Sequence, residues 1–578
     1  MPVDNLPAEI KPRYQVLIIG AGINGCGLFR DLCLQGVDCL MIERGDICQG
    51  ASAAPSRLIH GGIKYLETGE FRLVRESAVE RNRLLRNAPH YVKPLETVLP
   101  VRSWFGGIAA SAMRFFGLKT TMADRGALIV EVGLRIYDLY NREIKALPDH
   151  KFFGPRRVRS EYPDFDRRII AAGIYSEGRI THAERLCMEL AMDGLAANPR
   201  SALRTYTAVE CSDKPSELIL VDQITGERVA VSADVIVNAG GAWIDKVNAG
   251  LGIDSQHMGG SQGSHLIVDN PKLVEALKGR MIYFGSADGR INLVYPFFGH
   301  ALVGATDIPV KDPDAAGCSE EEIDYLIGTL AEIFPAMAVA REQVLLTYCG
   351  GRPLPRTAGA AIGSVSRDHA IATDILPNSS VAVFSLIGGK WTTFRAFSEQ
   401  AADLVLAKLG KPRSQSTKDL AIGGGRDYPA GSAGQDSYVQ SLAVAHRIDL
   451  ERARTLFARY GTSATAVSAF AASVPDEPLT SLPGYSSGEI AYICRRERVR
   501  RLTDLLLRRT SIAMEGLLGD RAVAEVGAIV AATLGWDAQR SAAEQELAGA
   551  AFRRRAVAGA SRGREPVTKS LPMEGISP

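Results

Sequence analysis

At 578 residues the chain is roughly three to four times the usual domain length, so several domains are expected. Its 46% hydrophobic and 23% charged residues exclude disorder along the whole chain. A net charge of +2 and a mean hydropathy of zero give no global field for nucleic acid and argue against an integral membrane protein. Nine cysteines, none in a C-x-x-C pair, are too dilute for a disulfide scaffold. Cys26, Cys33, Cys39 and Cys48 lack zinc-ligand spacing, so no metal site is expected and a reducing compartment fits best. Residues 1–15 carry no apolar secretory core, and the span 522–536 is short and contains Glu525. Any membrane contact is therefore expected to be peripheral.

Residues 15–20 (QVLIIG) read as a short buried strand. Gly20-Ala21-Gly22-Ile23-Asn24-Gly25 follows, then a helix to about Gln35 and a second strand at 39–42 that ends on Glu43. This is a dinucleotide fingerprint in its strand–turn–helix–strand context. Gly20 allows the tight turn, Gly22 lets backbone approach a pyrophosphate, and Gly25 permits close helix–strand packing. The helix N-terminus attracts phosphate, and Glu43 can accept from the ribose hydroxyls, which disfavours NADP. Residues 50–62 are small-residue chain suited to lie along a large cofactor, with Ser52, Ser56 and His60 within it. Residues 234–241, with Gly240, and 384–393, with Gly389, Thr392 and Thr393, look like returns to the same sheet before a helix at 394–409. A nucleotide domain interrupted in this way points to FAD rather than NAD.

Apolar runs at 280–284, 291–297 and 301–304 alternate with Gly/Asp turns and predict an antiparallel sheet roofing a substrate pocket. An amphipathic helix is expected at 320–334. The expected fold is α/β, with a discontinuous Rossmann-like FAD-binding domain (14–100, 166–260, 346–412) and an inserted antiparallel-sheet substrate domain (261–345). A segment at 101–165 is either membrane-facing or a lid. A linker (413–435), a helical C-terminal domain (436–550) and a disordered basic tail (551–578) complete the chain. Residues 102–119 mix Trp104, Phe105, Phe115 and Phe116 with Arg102, Arg114 and Lys119, which suits either an interfacial segment or a buried hairpin. The arginines between 495 and 509 read as a solvated helix face.

Several stretches carry a family resemblance. They are Ser56-Arg-Leu-Ile-His-Gly-Gly-Ile-Lys-Tyr-Leu66, Gly263-Ser-His-Leu-Ile-Val, Gly304-Ala-Thr-Asp, Tyr348-Cys-Gly-Gly-Arg-Pro-Leu, Ser366-Arg-Asp, Gly388-Gly-Lys-Trp-Thr-Thr and residues 489–510. Over about 14–515 the chain resembles the FAD-dependent, quinone-linked glycerol-3-phosphate dehydrogenases. The resemblance implies oxidation of a polyol phosphate at a secondary alcohol, with hydride passing from C2 to flavin N5 and electrons to quinone. The protein would then be cytoplasmic and peripheral to the inner face of the cell membrane, and a homodimer stays open.

His265 is expected as the base or as hydrogen-bond partner of the reacting oxygen, at the start of its strand. Arg352, in a glycine-rich turn, would face an anion or developing alkoxide. Arg367, Lys390 and Lys64 are the other phosphate-facing cations, with Tyr65 as a donor and Asp307 as an orienting carboxylate. His60, Ser52 and Ser56 fall beside the flavin, and Thr392 and Thr393 fall at a helix N-cap or a flavin contact. The family pattern at Lys64 is usually arginine, so another polyol phosphate, such as an erythritol phosphate, is an alternative. An oxygen-using oxidase and a non-catalytic flavin sensor are the others.

Overall fold

The apolar run of Arg13–Ile19 is buried from Val16 onward on both faces, as a central parallel strand requires. In this computed structural model, which describes residues 10–63, 70–106, 126–141, 146–356 and 368–557, that strand organises an eight-stranded sheet. Leu17 pairs in parallel with Leu40 of Cys39–Ile42 on one side and with Ile236 of Arg228–Asn238 on the other. Val237 in turn lies beside Phe384 of Ala382–Ile387, so the two distant segments do return to the first sheet. Ala202–Arg204 extends the parallel set beyond Cys39–Ile42, and Ala370–Ile375 forms the antiparallel edge. Helices Ile23–Leu34, Ala183–Ala197 and Phe394–Lys408 cover one face with a continuous apolar core.

A second sheet of ten strands faces the carboxyl ends of the first. Met281–Gly285, Ile291–Phe297 and His300–Gly304 form the expected antiparallel run, continued by Ser261–Val268 and Val344–Arg352. Helices Pro271–Leu277 and Glu320–Ala331 pack behind it. The sheet reaches further than the sequence boundaries allowed. Leu58–Ile59, Val92–Val101, Lys151–Phe153 and Ala171–Ile180 also belong to it, with Val98 opposite Ile174. The limits expected at 100, 166 and 346 therefore do not divide the two sheets. Periodicity marks a strand but not its partner, and these pairings join segments far apart in the chain. Two site residues shift for the same reason. His265 lies in mid-strand, opposite Tyr348 and Gly304, and Arg352 ends a strand rather than occupying a turn.

Helices from Gly431–His446 to Ala538–Arg553 form the C-terminal domain around two apolar clusters. Its anchor to the nucleotide domain is ionic. Asp46, fully buried, accepts from Arg509 Nη1 at 2.8 Å and Nη2 at 2.7 Å and also pairs with Arg508. Arg508 reaches Asp504 at 2.8 Å, and buried Arg185 pairs with Glu497 at 2.8 Å. The solvated arginine face expected at 495–509 is thus wrong for Arg508 and Arg509, whose partner lies at the far end of the chain. The start of the expected disordered tail is also ordered. Thr347 N donates to Arg555 O at 2.8 Å, and Val557 enters the core behind the second sheet. Residues 558–578 fall outside the described residues.

Replacing Asp46 by alanine leaves two buried guanidinium groups without this carboxylate. Removing one partner of such a pair costs about 3–5 kcal/mol. Asp46→Ala should lower the thermal midpoint and expose the C-terminal domain to protease, and an unchanged midpoint would contradict the anchor.

Candidate functional site

The carboxyl ends of the parallel strands and the lower face of the second sheet enclose a cavity of about 1590 Å³. Open α/β sheets place ligands at this end, where successive strands deliver their loops. At one end of the cavity lies the glycine turn. Gly20 has φ of +110°, and a Cβ there would stand 2.6 Å from Ala239 O. A Cβ on Gly25 would meet Gly20 O at 1.9 Å, so helix Ile23–Leu34 can approach the strand only without side chains. Ile23 N donates to Ser52 Oγ at 3.0 Å, and Asn24 Nδ2 donates to Gly388 O at 3.2 Å. Asn24 Oδ1 stays buried without a hydrogen-bond partner.

Glu43 accepts from Ala21 N at 2.8 Å and Gly45 N at 2.9 Å while facing the cavity, and burial raises its pKa. Asp314, from the second-sheet side, accepts from Arg44, Trp243 and Lys246 of the nucleotide side and lines the cavity with them. A helix N-terminus, a carboxylate at the second strand and a trough lined by Gly20, Gly22, Gly240 and Gly389 fit the phosphates, ribose and length of FAD.

At the other end His265 Nε2 and Ser56 Oγ share a 2.8 Å hydrogen bond. The His265 ring stacks on Tyr348, with centroids 4.9 Å apart and planes 10° from parallel. The opposite strand must offer glycine, because a Cβ on Gly304 would lie 2.2 Å from the ring. Tyr348 and Tyr295 hydroxyls donate to Pro55 O at 3.2 Å and Ser56 O at 3.0 Å, which pins the segment carrying Ser56. Burial, then the charges of Arg352 and Arg57, push the His265 pKa down to about 3, so the imidazole is neutral at neutral pH.

Arg352 pairs with Asp307 at 2.6 Å and donates from Nη2 to Thr306 O at 2.7 Å. Thr306 is itself held by Glu322, a buried carboxylate that also takes the Ser264 hydroxyl at 2.8 Å. Gly263 leaves room for the guanidinium, since a Cβ there would sit 2.3 Å from Nη2. Thr392 Oγ1 accepts from His60 N at 3.1 Å and donates to His60 O at 3.2 Å.

The cavity wall brings together Gly20, Gly22, Glu43, Ser52, Ser56, His60, Gly240, His265, Asp307, Arg352, Gly389, Lys390 and Thr392. Gly25 lies behind the wall in its packing role. Thr393 does not line the cavity. It occupies the N-cap of Phe394–Lys408, but its hydroxyl makes no capping bond, because the backbone turn points it into the core. Lys64, Tyr65 and Arg367 lie outside the described residues, as does most of 102–119. Sequence reasoning missed Tyr348, Thr306, Glu322 and Asp314. Two of these sit inside the quoted motifs, but their roles arise from cross-strand pairing.

Comparison with known proteins agrees with this geometry. The model of the FAD dependent oxidoreductase family matches residues 15–395, and that of the C-terminal domain of alpha-glycerophosphate oxidase matches 415–541. A glycerol-3-phosphate dehydrogenase of Synechocystis sp. is 31% identical over 540 residues, covering 88% of this chain and 91% of the relative. An aerobic glycerol-3-phosphate dehydrogenase of Staphylococcus epidermidis is 28% identical over 513 residues, covering 86% of each. The solved structure of the glycerol-3-phosphate dehydrogenase from Bacillus halodurans complexed with FAD has a TM-score of 0.70 at 21% identity, covering 94% of this chain and 95% of that one. That last likeness bears on the fold alone.

The low pKa of His265 sets a pH dependence. The unfolded histidine binds a proton below about 6.5, whereas the folded one does so only near pH 3. Its contribution is therefore fully favourable above pH 6.5 and falls away as the pH drops towards 3. His265→Asn should flatten the acid limb of stability against pH over this window, measured as denaturation midpoints. Parallel limbs in wild type and variant would refute the assignment.

Proposed function

This chain belongs to the FAD dependent oxidoreductase family, among its glycerol-3-phosphate dehydrogenases, and on that footing we propose that it oxidises sn-glycerol 3-phosphate at C2 to dihydroxyacetone phosphate. The observation that carries the reading is one cavity that joins a dinucleotide cradle to the His265–Ser56 and Arg352–Asp307 pairs. When bound, FAD supplies the hydride acceptor at N5, and a quinone is the proposed final acceptor.

The residues divide the remaining work. The neutral His265, hydrogen-bonded to Ser56, serves the reacting hydroxyl as base or hydrogen-bond partner, a role closed to an imidazolium. Arg352, fixed on two sides by Asp307 and the Thr306 carbonyl, presents a positive charge that stabilises the oxygen as it becomes a carbonyl. Lys390 faces the same cavity from the nucleotide side and serves the phosphate, a task for which Lys64 and Arg367 are proposed as well. Burial of the substrate between the sheets strengthens each of these interactions, because water no longer screens them.

A second observation supports peripheral contact with a membrane surface, proposed to be the inner face of the cell membrane. Helix Ala127–Asn141 buries Val130, Leu134 and Tyr137 but exposes Leu128, Val132, Ile136 and Leu139, the last by 61%. Leu128 N bonds to Trp104 O, which brings exposed Trp104 and Phe105 (73%) alongside that stripe. An apolar helix face flanked by aromatic rings suits the headgroup boundary of a bilayer. No helix among the described residues is long and apolar enough to cross a membrane.

Anaerobic addition of glycerol 3-phosphate to the yellow holoenzyme should bleach the flavin absorbance. A marked preference for erythritol phosphate, or no bleaching at all, would overturn the reading, and stoichiometric peroxide in air would replace quinone by oxygen. Arg352→Ala should lower kcat/KM by about 10²–10³, as loss of one preorganised oxyanion donor does. Val132→Glu combined with Leu139→Glu should abolish flotation with anionic phospholipid vesicles while dye-linked turnover in solution persists. Undiminished flotation would remove the helix from the membrane contact.

A further inference from the structure

Three buried polar side chains from three different elements meet at the cavity wall, which Glu177 lines while the other two lie behind it, and none belongs to the cofactor or substrate contacts described above. Arg81 comes from helix Phe71–Asn87, Tyr137 from helix Ala127–Asn141 and Glu177 from strand Ala171–Ile180. All three are at most 1% exposed. Glu177 Oε2 accepts from Arg81 Nη1 at 2.7 Å, and Glu177 Oε1 accepts from the Tyr137 hydroxyl at 2.8 Å. Arg81 also donates to Asn82 Oδ1 at 3.0 Å and to Asn141 Oδ1, so its charge is fully surrounded. Arg81 occupies only Oε2 of the carboxylate, so Oε1 depends on Tyr137.

The remaining bond of Glu177 leads to the site. Oε2 also accepts from Gly61 N at 2.9 Å, and Glu177 itself lines the cavity beside His60, Gly62 and Ile63. Gly61 packs so closely on the cluster that a Cβ there would stand 2.0 Å from Tyr137 Oη. On its other side the segment is held by Thr392, which both donates to and accepts from the His60 backbone. His60–Gly61 is thus clamped between the nucleotide domain and the second sheet. The Tyr137 hydroxyl fixes one carboxylate oxygen, which stops rotation of the carboxylate and keeps the other oxygen aimed at Gly61.

We infer that Tyr137, through Glu177 and with Arg81 as counter-charge, is a positioning residue that sets the His60–Gly61 backbone against the cavity where flavin and substrate meet. This rests on the proposed function for its kinetic consequence, but the placement itself concerns the cofactor pocket. Tyr137 lies on the buried side of the helix whose opposite face is the exposed apolar stripe, so the same element serves both.

The test is Tyr137→Phe, purified as holoenzyme beside wild type. It removes one oxygen and leaves the ring packing against Tyr175. FAD content should be retained, the visible circular dichroism of the bound flavin should change before any substrate is added, and kcat should fall about tenfold or more with KM nearly unchanged, as a small misplacement of reacting groups produces. Unaltered dichroism together with unaltered kcat would overturn the inference. If the variant does not fold, Glu177→Gln, whose amide oxygen can still accept from Gly61 N, should retain a more native flavin dichroism than Glu177→Leu, and equal spectra would likewise overturn it. The substrate-free spectrum separates this inference from the functional one. Failure of glycerol 3-phosphate to bleach wild type would refute the substrate and leave the dichroism comparison standing.

Discussion

Everything in this protein is referred to one close approach, that of helix Ile23–Leu34 to the end of strand Arg13–Ile19. The Gly20 carbonyl sits where a Cβ on Gly25 would be, and Ala239 O sits where a Cβ on Gly20 would be. Only a chain without side chains at these points can bring the helix N-terminus to the cavity edge. Because Ala239 follows the neighbouring parallel strand, the same contact fixes the register of Arg228–Asn238, which in turn fixes that of Ala382–Ile387. The loops after all three strands then converge on one trough, carrying Gly22, Gly240 and Gly389 with them.

The second sheet adds chemistry by bringing the buried imidazole of His265 and the ion-paired guanidinium of Arg352 to the cavity. His265 is buried in mid-strand between Tyr348 and Gly304 and is neutral there, whereas the equally buried Arg57 is kept charged by its carboxylate partner Glu184. Desolvation disfavours the charged form of both groups, and only the one with a carboxylate beside it, Arg57 on Glu184, overcomes that penalty. The outcome is a neutral imidazole placed close to the Arg352 guanidinium.

Charge also decides how the domains hold together. Asp46 receives Arg508 and Arg509, Glu497 receives Arg185, and Glu177 receives Arg81, all away from water. Such pairs add little net stability compared with apolar packing, yet each is costly to break singly, so they select one mutual arrangement of the elements. In the Glu177 cluster that selectivity extends to the cavity wall itself.

The sequence by itself determined the nucleotide fold, its cofactor and a set of glycine, polar and charged residues on the cavity wall. The glycine spacing, the acid at the end of the second strand and the later glycine-ended strands are local signals with a direct physical cause. The motif residues Ser56, His265, Asp307, Arg352, Lys390 and Thr392 do converge on one cavity. What only the tertiary structure decided depends on partners distant in the chain. Val92–Val101 and Ala171–Ile180 join the second sheet because of each other, Arg509 is buried because Asp46 is there, and Arg555 is ordered because Thr347 needs its carbonyl. Periodicity and composition report how a residue relates to its neighbours along the chain. They carry no record of which strand, carboxylate or carbonyl folding will place opposite it, and that pairing sets the protonation of His265 and the hold on Arg352.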